Sequence, residues 1–289
     1  MTKISVAQIT PVTGEKEINM KKMKELIEKA AGQGVELIVF PELALTGYNC
    51  GDHFFEVAET IPGQSTDYFK EIARTHNIYI IWGLPEKGNI PGLLYNSAAI
   101  VGPEGYLGRW RKNTLPGHAT DKGGAGAFPD RRFFKKGGDL AVIDTKLGKI
   151  GLLICYDIFF PELARYLTLK GADLIIGISG SPSFERDIFE PIVKARAMEN
   201  VIPVVYTNLV GKEGDTEYWG GGCMIGAGDV NSKVPGSPEI CKASYTEEGI
   251  TIGEVDLTHS QRVRPFFPVL RDIETDMYHK LAKVHQNLT

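Results

Sequence analysis

The sequence has no apolar run near the ~18 residues needed to cross a bilayer, and pieces such as Leu152–Ile154 and Leu174–Ile176 are short. Its N-terminal Lys3-Ile4-Ser5-Val6-Ala7-Gln8-Ile9 alternates like a strand and lacks a basic-then-apolar export signal. A cytoplasmic protein with no membrane partner is expected. Despite 33 glycines there is no G-x-x-x-x-G-K-[ST] phosphate loop and no G-x-G-x-x-G after a strand. The histidines His53, His76, His118, His259, His279 and His285 never take metal-binding helical spacing, and C-x-x-C is absent, so neither metal nor cofactor is expected. The lack of a G-x-S-x-G elbow argues against a serine hydrolase. Positive charge is also short, with a net charge of −4. The one basic and aromatic run, Arg131-Arg132-Phe133-Phe134-Lys135-Lys136, reads as a solvated loop, and no nucleic-acid partner is expected. Only Cys50, Cys155, Cys223 and Cys241 carry sulfur able to pair; far apart in a chain without an export signal, they read as free thiols.

What is present is ordinary for a soluble globule: 289 residues, 43% hydrophobic and 24% charged. A chain of this length buries roughly 75% of its unfolded surface and needs no staple. Ile18, Met20, Met23, Leu26, Ile27 and Ala30 recur at helical spacing, with Gly32 and Gly34 closing that helix, and Val35–Phe40 reads as a buried strand. A helix after Ser65 turns Tyr68, Phe69, Ile72 and Ala73 inward, and Ile78–Trp82 is the next strand. Asn96–Val101 with Tyr106–Lys112, and Leu140–Ile143 with Lys149–Ile154, read as hairpins. Helices over Pro161–Lys170 and Ile188–Asn200 alternate with strands over Leu174–Ile178 and Pro203–Thr207. Short strands near Gly222–Ile225, Glu239–Ala243 and Ile250–Val255 follow. This order predicts an α/β fold, an α-β-β-α sandwich, and without repeats or linkers residues 1–289 form one domain.

The residue that invites a chemical reading is Cys155. It closes the buried strand Lys149-Ile150-Gly151-Leu152-Leu153-Ile154 just before a helix, a corner where a side chain leaves the sheet at its carboxyl edge. A thiol attacks only as thiolate, which needs a base or a positive neighbour. Glu42, after Val39-Phe40-Pro41, and Lys112, after Trp110-Arg111, stand at other strand ends. Spacing alone leaves the alternative open that Cys155 is a small apolar filler.

Four segments together resemble the nitrilase superfamily of carbon–nitrogen hydrolases, on its amidase-like side: Ile38-Val39-Phe40-Pro41-Glu42-Leu43-Ala44-Leu45-Thr46-Gly47-Tyr48; Arg111-Lys112-Asn113-Thr114-Leu115-Pro116; Gly151-Leu152-Leu153-Ile154-Cys155-Tyr156-Asp157 with Phe160-Pro161-Glu162; and Ala195-Arg196-Ala197-Met198-Glu199-Asn200. They occur in the family's order, and the likeness runs to about Arg271. The resemblance implies a nitrilase-like four-layer sandwich, a Glu42-Lys112-Cys155 triad, no cofactor, and a homodimer or larger homo-oligomer. The tail from about residue 260 is expected in oligomer contacts.

On that footing Glu42 takes the thiol proton, Cys155 attacks an amide carbonyl, and Lys112 with the Tyr156 N–H holds the oxyanion. Asp130, in Phe128-Pro129-Asp130-Arg131-Arg132-Phe133-Phe134-Lys135-Lys136-Gly137, stands where many relatives carry a glutamate. It either orients Lys112 or the substrate amide, or caps a loop. Phe159 stands where several amidases have arginine. Tyr48 and Trp219 are expected to line the acyl pocket. Asp157 reads as a cap of the following helix, Glu162 as first-turn macrodipole complement, and Arg196–Glu199 as an i,i+3 ion pair. The expected substrate is a small amide or N-carbamoyl compound, since Tyr-Asp after the cysteine is closer to amidases than to nitrilases. A nitrile hydrolase, an acyltransferase, a non-catalytic scaffold and a Cys155-His118-Asn208 site are the alternatives.

Overall fold

The computed structural model describes residues 1–117, 128, 130–228 and 238–287. In chain order the first half contains β1 (Thr2–Gln8), α1 (Lys16–Ala31), β2 (Leu37–Val39), α2 (Phe54–Val57), α3 (Gln64–His76), β3 (Tyr79–Lys87), β4 (Leu94–Gly102) and β5 (Gly105–Arg111). There follow α4 (Asp130–Phe133), β6 (Val142–Asp144), β7 (Lys149–Ile154), α5 (Pro161–Leu169), β8 (Leu174–Ser179), α6 (Arg186–Asn200) and β9 (Val204–Asn208). The remainder is β10 (Val210–Glu213), β11 (Thr216–Trp219), β12 (Cys223–Ile225), β13 (Glu239–Lys242), β14 (Gly249–Val255), α7 (His259–Val263) and α8 (Thr275–Gln286).

Two six-stranded sheets form, ordered β14-β1-β2-β3-β4-β5 and β13-β12-β9-β8-β7-β6. Alternation along each strand distributes the apolar side chains between two faces. In the first sheet Ile4, Val6, Leu37, Val39 and Ile81 join a core shared with Ile150, Leu152, Ile176 and Ile178 of the second. Their neighbours Ala7, Ile38, Ile80 and Trp82 instead pack under Met23 and Ile27 of α1 and Phe69 of α3. The outer face of the second sheet is covered by α5 and α6 through Ala164, Leu167, Phe189 and Val193. The layers are therefore helix, sheet, sheet, helix, as the element order predicts.

Helix ends follow local chemistry. Pro161 opens α5, where its missing N–H costs nothing, and Gly171 follows it at φ +90°. Asn77 closes α3 in the left-handed region, its N–H donating to Ala73 O. Two expected inward residues face out: Ile18 is 51% and Tyr68 36% exposed. At 100° per residue the adjacent Asn19 and Phe69 hold the buried positions. The Arg131–Lys136 run is also not simply a solvated loop. Its arginines are exposed, but Phe133 and Phe134 pack on Phe54 with ring centroids 5.6 and 5.0 Å away. The β10–β11 hairpin and α7 and α8 are elements the sequence pattern does not announce. α8 buries no residue, and among the described residues no helix is long and apolar enough to cross a membrane.

Candidate active site

The strands that carry chemistry share one edge. β1, β2 and β3 are parallel, as are β7, β8 and β9, and β5 returns to the direction of β3 through two antiparallel pairings. Glu42, Lys112, Cys155 and Gly180 each follow the carboxyl end of one of these strands.

Glu42 is held by a tight turn. Phe40 N–H donates to Ile81 O, Gly83 N–H donates to Pro41 O at 3.1 Å, and Leu43 takes φ +50°. Gly83 has to be glycine here: a Cβ on it would lie 2.6 Å from Pro41 O and 2.7 Å from Glu42 Cα. Lys112 is fixed by its backbone, N–H to Asn96 O at 2.8 Å and O to Gly137 N at 2.7 Å. Cys155 directly follows β7 and takes the left-handed region at φ +50°, a strained conformation for a residue with a Cβ.

These turns bring the side chains together. Lys112 Nζ lies 2.8 Å from Glu42 Oε1 and 2.7 Å from Asp130 Oδ1, all three wholly buried. Asn96 Nδ2 donates to the same two oxygens at 2.7 and 3.3 Å, and Gly180 N–H donates to Glu42 Oε2 at 2.7 Å. The Tyr48 hydroxyl donates to Asp130 Oδ2. Asp130 is thus a partner of Lys112, not a loop cap.

Burial is the largest influence on Glu42, Lys112, Cys155 and Tyr48. It pushes the Glu42 carboxyl up; Lys112 pulls it back, and Asp130 pushes it further. Burial pulls the Lys112 ammonium down, but Asp130 and Glu42 outweigh it and hold it well above the ordinary lysine range. Burial and then the charge of Glu42 push the Cys155 thiol well up, with Lys112 opposing them. Tyr48 is likewise pushed well up, by burial and then Asp130. The Cys155 thiol thus feels a buried carboxylate and a fixed cation at once.

Asp157 does not cap α5. Its carboxylate accepts from Thr114 N at 2.7 Å, Thr114 Oγ1 at 2.6 Å, Asn113 N at 3.1 Å and Ile154 N at 3.2 Å, tying the segment after Lys112 to the strand before Cys155. Burial pushes its carboxyl up to about 6 despite those donors. Arg196 pairs with Glu199 at 2.8 Å and also donates to Ile158 O at 2.8 Å and Phe159 O at 3.0 Å, bracing the turn after Cys155. Glu162 stands exposed in the first turn of α5. Tyr156 is half-buried beside a 390 Å³ cleft that Asn113, Thr114 and Phe160 also line.

Trp219 stacks on Tyr206 with centroids 5.7 Å apart, and its Nε1 donates to Ser181 Oγ at 3.2 Å. Asn208 is committed to Ser181, accepting from its N–H at 2.8 Å and donating to its O at 3.0 Å, while His118 lies outside the described residues. Sequence reasoning misses Asn96, Gly180, Ser181 and Glu185. The one sequence signal for Asn96 is a polar amide inside the otherwise strand-forming Leu94–Gly102.

A family model described as carbon-nitrogen hydrolase matches residues 3–265. The chain is 35% identical over 285 residues to a nitrilase of Pyrococcus abyssi, covering 96% of this chain and 99% of that one. It is 30% identical over 288 residues to an omega-amidase of Homo sapiens, with 96% and 98% covered. Among solved structures, a carbon-nitrogen hydrolase from Helicobacter pylori superposes with TM-score 0.82 at 26% identity, covering 97% of this chain and 98% of that one. Fold, motifs in register and full-length similarity agree: the chain belongs to the carbon–nitrogen hydrolase family of the nitrilase superfamily.

Proposed function

We propose that the protein hydrolyses a small carboxamide or N-carbamoyl compound to the acid and ammonia, with Glu42, Lys112 and Cys155 as catalytic residues. The observation that supports this most is the buried contact of Lys112 with both Glu42 and Asp130. It pairs a fixed positive charge with a proton acceptor, and both act on the Cys155 thiol, which burial and Glu42 push up.

The chemistry runs as follows. Glu42 takes the thiol proton as Cys155 sulfur attacks the amide carbon, and the carbonyl oxygen becomes an oxyanion facing Lys112. Glu42 returns the proton to the leaving nitrogen, the C–N bond breaks, ammonia departs and a thioester remains. Glu42 next takes a proton from water as the oxygen adds to the thioester; on collapse the C–S bond breaks, Glu42 returns the proton to the departing sulfur, and the acid and the Cys155 thiol are released. Asp130 keeps the Lys112 ammonium charged and aimed, with Tyr48 and Asn96 fixing Asp130. A nitrile substrate is the second reading, supported by the similarity to the Pyrococcus abyssi nitrilase.

Paired amides and nitriles assayed for ammonia release, with intact-mass detection of a thioester on wild type and on Cys155→Ala, test both readings. Ammonia from amides, with an acyl adduct lost in Cys155→Ala, is the expected result. Turnover of nitriles alone rejects the first reading.

A further inference from the structure

The charge inventory around Cys155 is lopsided. Among the described residues Glu42, Asp130 and Glu185 push on its thiol in one direction and Lys112 opposes them. Asp157 adds a fourth carboxylate within reach of Lys112. Lys112 is already held by Glu42 and Asp130, so it leaves Glu185 without an ion-pair partner among the described residues. Around the thiol, carboxyl groups thus outnumber the ammonium that faces them.

Glu185 is not a loose surface acid. Ser181 Oγ donates to its Oε2 at 2.7 Å, and that hydroxyl is itself fixed by Trp219 Nε1. The Ser181 backbone is clamped by Asn208 on both sides. The carboxylate is half-buried, whereas Glu42, Lys112, Asp130 and Cys155 are fully enclosed. Gly180, the neighbour of Ser181, donates its N–H to Glu42 Oε2, so this carboxylate is tied through one short backbone segment to the proposed base. The turn that follows Cys155 and the helix that follows Glu185 supply aromatic rings: the Tyr156 and Phe159 centroids are 5.5 Å apart, and those of Phe159 and Phe189 4.9 Å, edge on. Ring faces accept an ammonium and offer nothing to a carboxylate.

Resting on the function proposed above, we propose that Glu185 is the specificity-determining residue of the acyl pocket. It selects amides whose acyl group carries an ammonium, over neutral amides, and disfavours those carrying a carboxylate.

The test uses matched triplets at two chain lengths: 4-aminobutanamide, pentanamide and glutaramate; and 5-aminopentanamide, hexanamide and adipamate. Ammonia release gives kcat/KM for each with the full-length wild type and with Glu185→Gln, and each ratio is taken within one preparation, so a partly misfolded variant does not distort it. The expected wild-type order is ammonium, neutral, carboxylate, with a preference for ammonium over neutral of roughly tenfold or more at one length, expressed mainly in KM. Glu185→Gln is expected to bring that ratio close to one. A wild-type ratio at or below one, or a ratio unchanged in Glu185→Gln, overturns the proposal while Cys155-dependent release from the neutral amides keeps the hydrolase reading. No ammonia from any of the six removes both.

Discussion

Asp130 Oδ1 sits 2.7 Å from Lys112 Nζ with neither side chain exposed. The aspartate is one methylene shorter than the glutamate of many relatives, yet it reaches the ammonium. Asp130 opens the one-turn helix α4, whose Phe133 packs on Phe54 together with the next residue, Phe134. Two buried carboxylates thereby share one cation.

Removing one of them separates catalysis from scaffold. Asp130→Asn keeps the shape but withdraws charge from Lys112 and gives Tyr48 a weaker acceptor. The expected outcome is kcat lower by about 10²-fold with KM changed far less, and stability lower by about 1–3 kcal/mol. Steady-state ammonia release and urea unfolding measure the two effects. A kcat within a factor of about two of wild type would show that Lys112 needs only Glu42.

Acid should move activity and stability in opposite directions. Burial and Asp130 raise the Glu42 carboxyl above its ordinary value, so kcat/KM should fall as pH drops through that raised value, where a protonated Glu42 cannot accept the thiol proton. A raised folded-state value means the folded protein binds the proton more tightly than the unfolded chain, so the same protonation favours folding. Asp157 has the same sign and a defined window, its carboxyl lying at about 6 against 3.8. Its contribution to stability should fall on the order of 3 kcal/mol as pH rises across that window. Urea titrations from about pH 4 to pH 7 should show the stability of wild type relative to Asp157→Asn declining over the range; a constant difference excludes Asp157 as the titrating group.

Glycine at position 83 is a steric requirement of the Glu42 turn. In Gly83→Ala the new methyl meets Pro41 O, Glu42 Cα and Leu43 N, all backbone atoms that cannot swing aside. The expected loss is about 1–3 kcal/mol of stability. Because the turn carries the proposed base, kcat should drop as well, on the order of 10²-fold for a shift near 1 Å. Full activity in a stable Gly83→Ala protein would mean that the turn relaxes without moving Glu42.

Much of this site can be read from linear sequence because its parts sit where strands stop. Val39-Phe40-Pro41-Glu42, Trp110-Arg111-Lys112 and Leu153-Ile154-Cys155 each follow a strand with a group that has chemistry, and the sheets bring those ends to one edge. The residues that fix the site are harder to see. Asn96 lies mid-strand, and which way its amide faces depends on the pairing of β4 with β3 and β5. Asp157 looks like a helix cap because a cap needs only the next few residues, whereas three of its four donors come from Asn113 and Thr114, more than forty positions away. The β10–β11 hairpin escapes because Lys212, Glu213 and Glu217 break up its apolar alternation.

The segment leaving β8 serves two masters: Gly180 N–H grips Glu42, and five positions on stands Glu185. Lengthening or trimming that connection to admit new substrates would loosen the grip on the base at the same stroke. Retailoring this enzyme therefore favours single side-chain exchanges on an unaltered backbone over loop grafting, and natural drift in what it accepts is constrained in the same way.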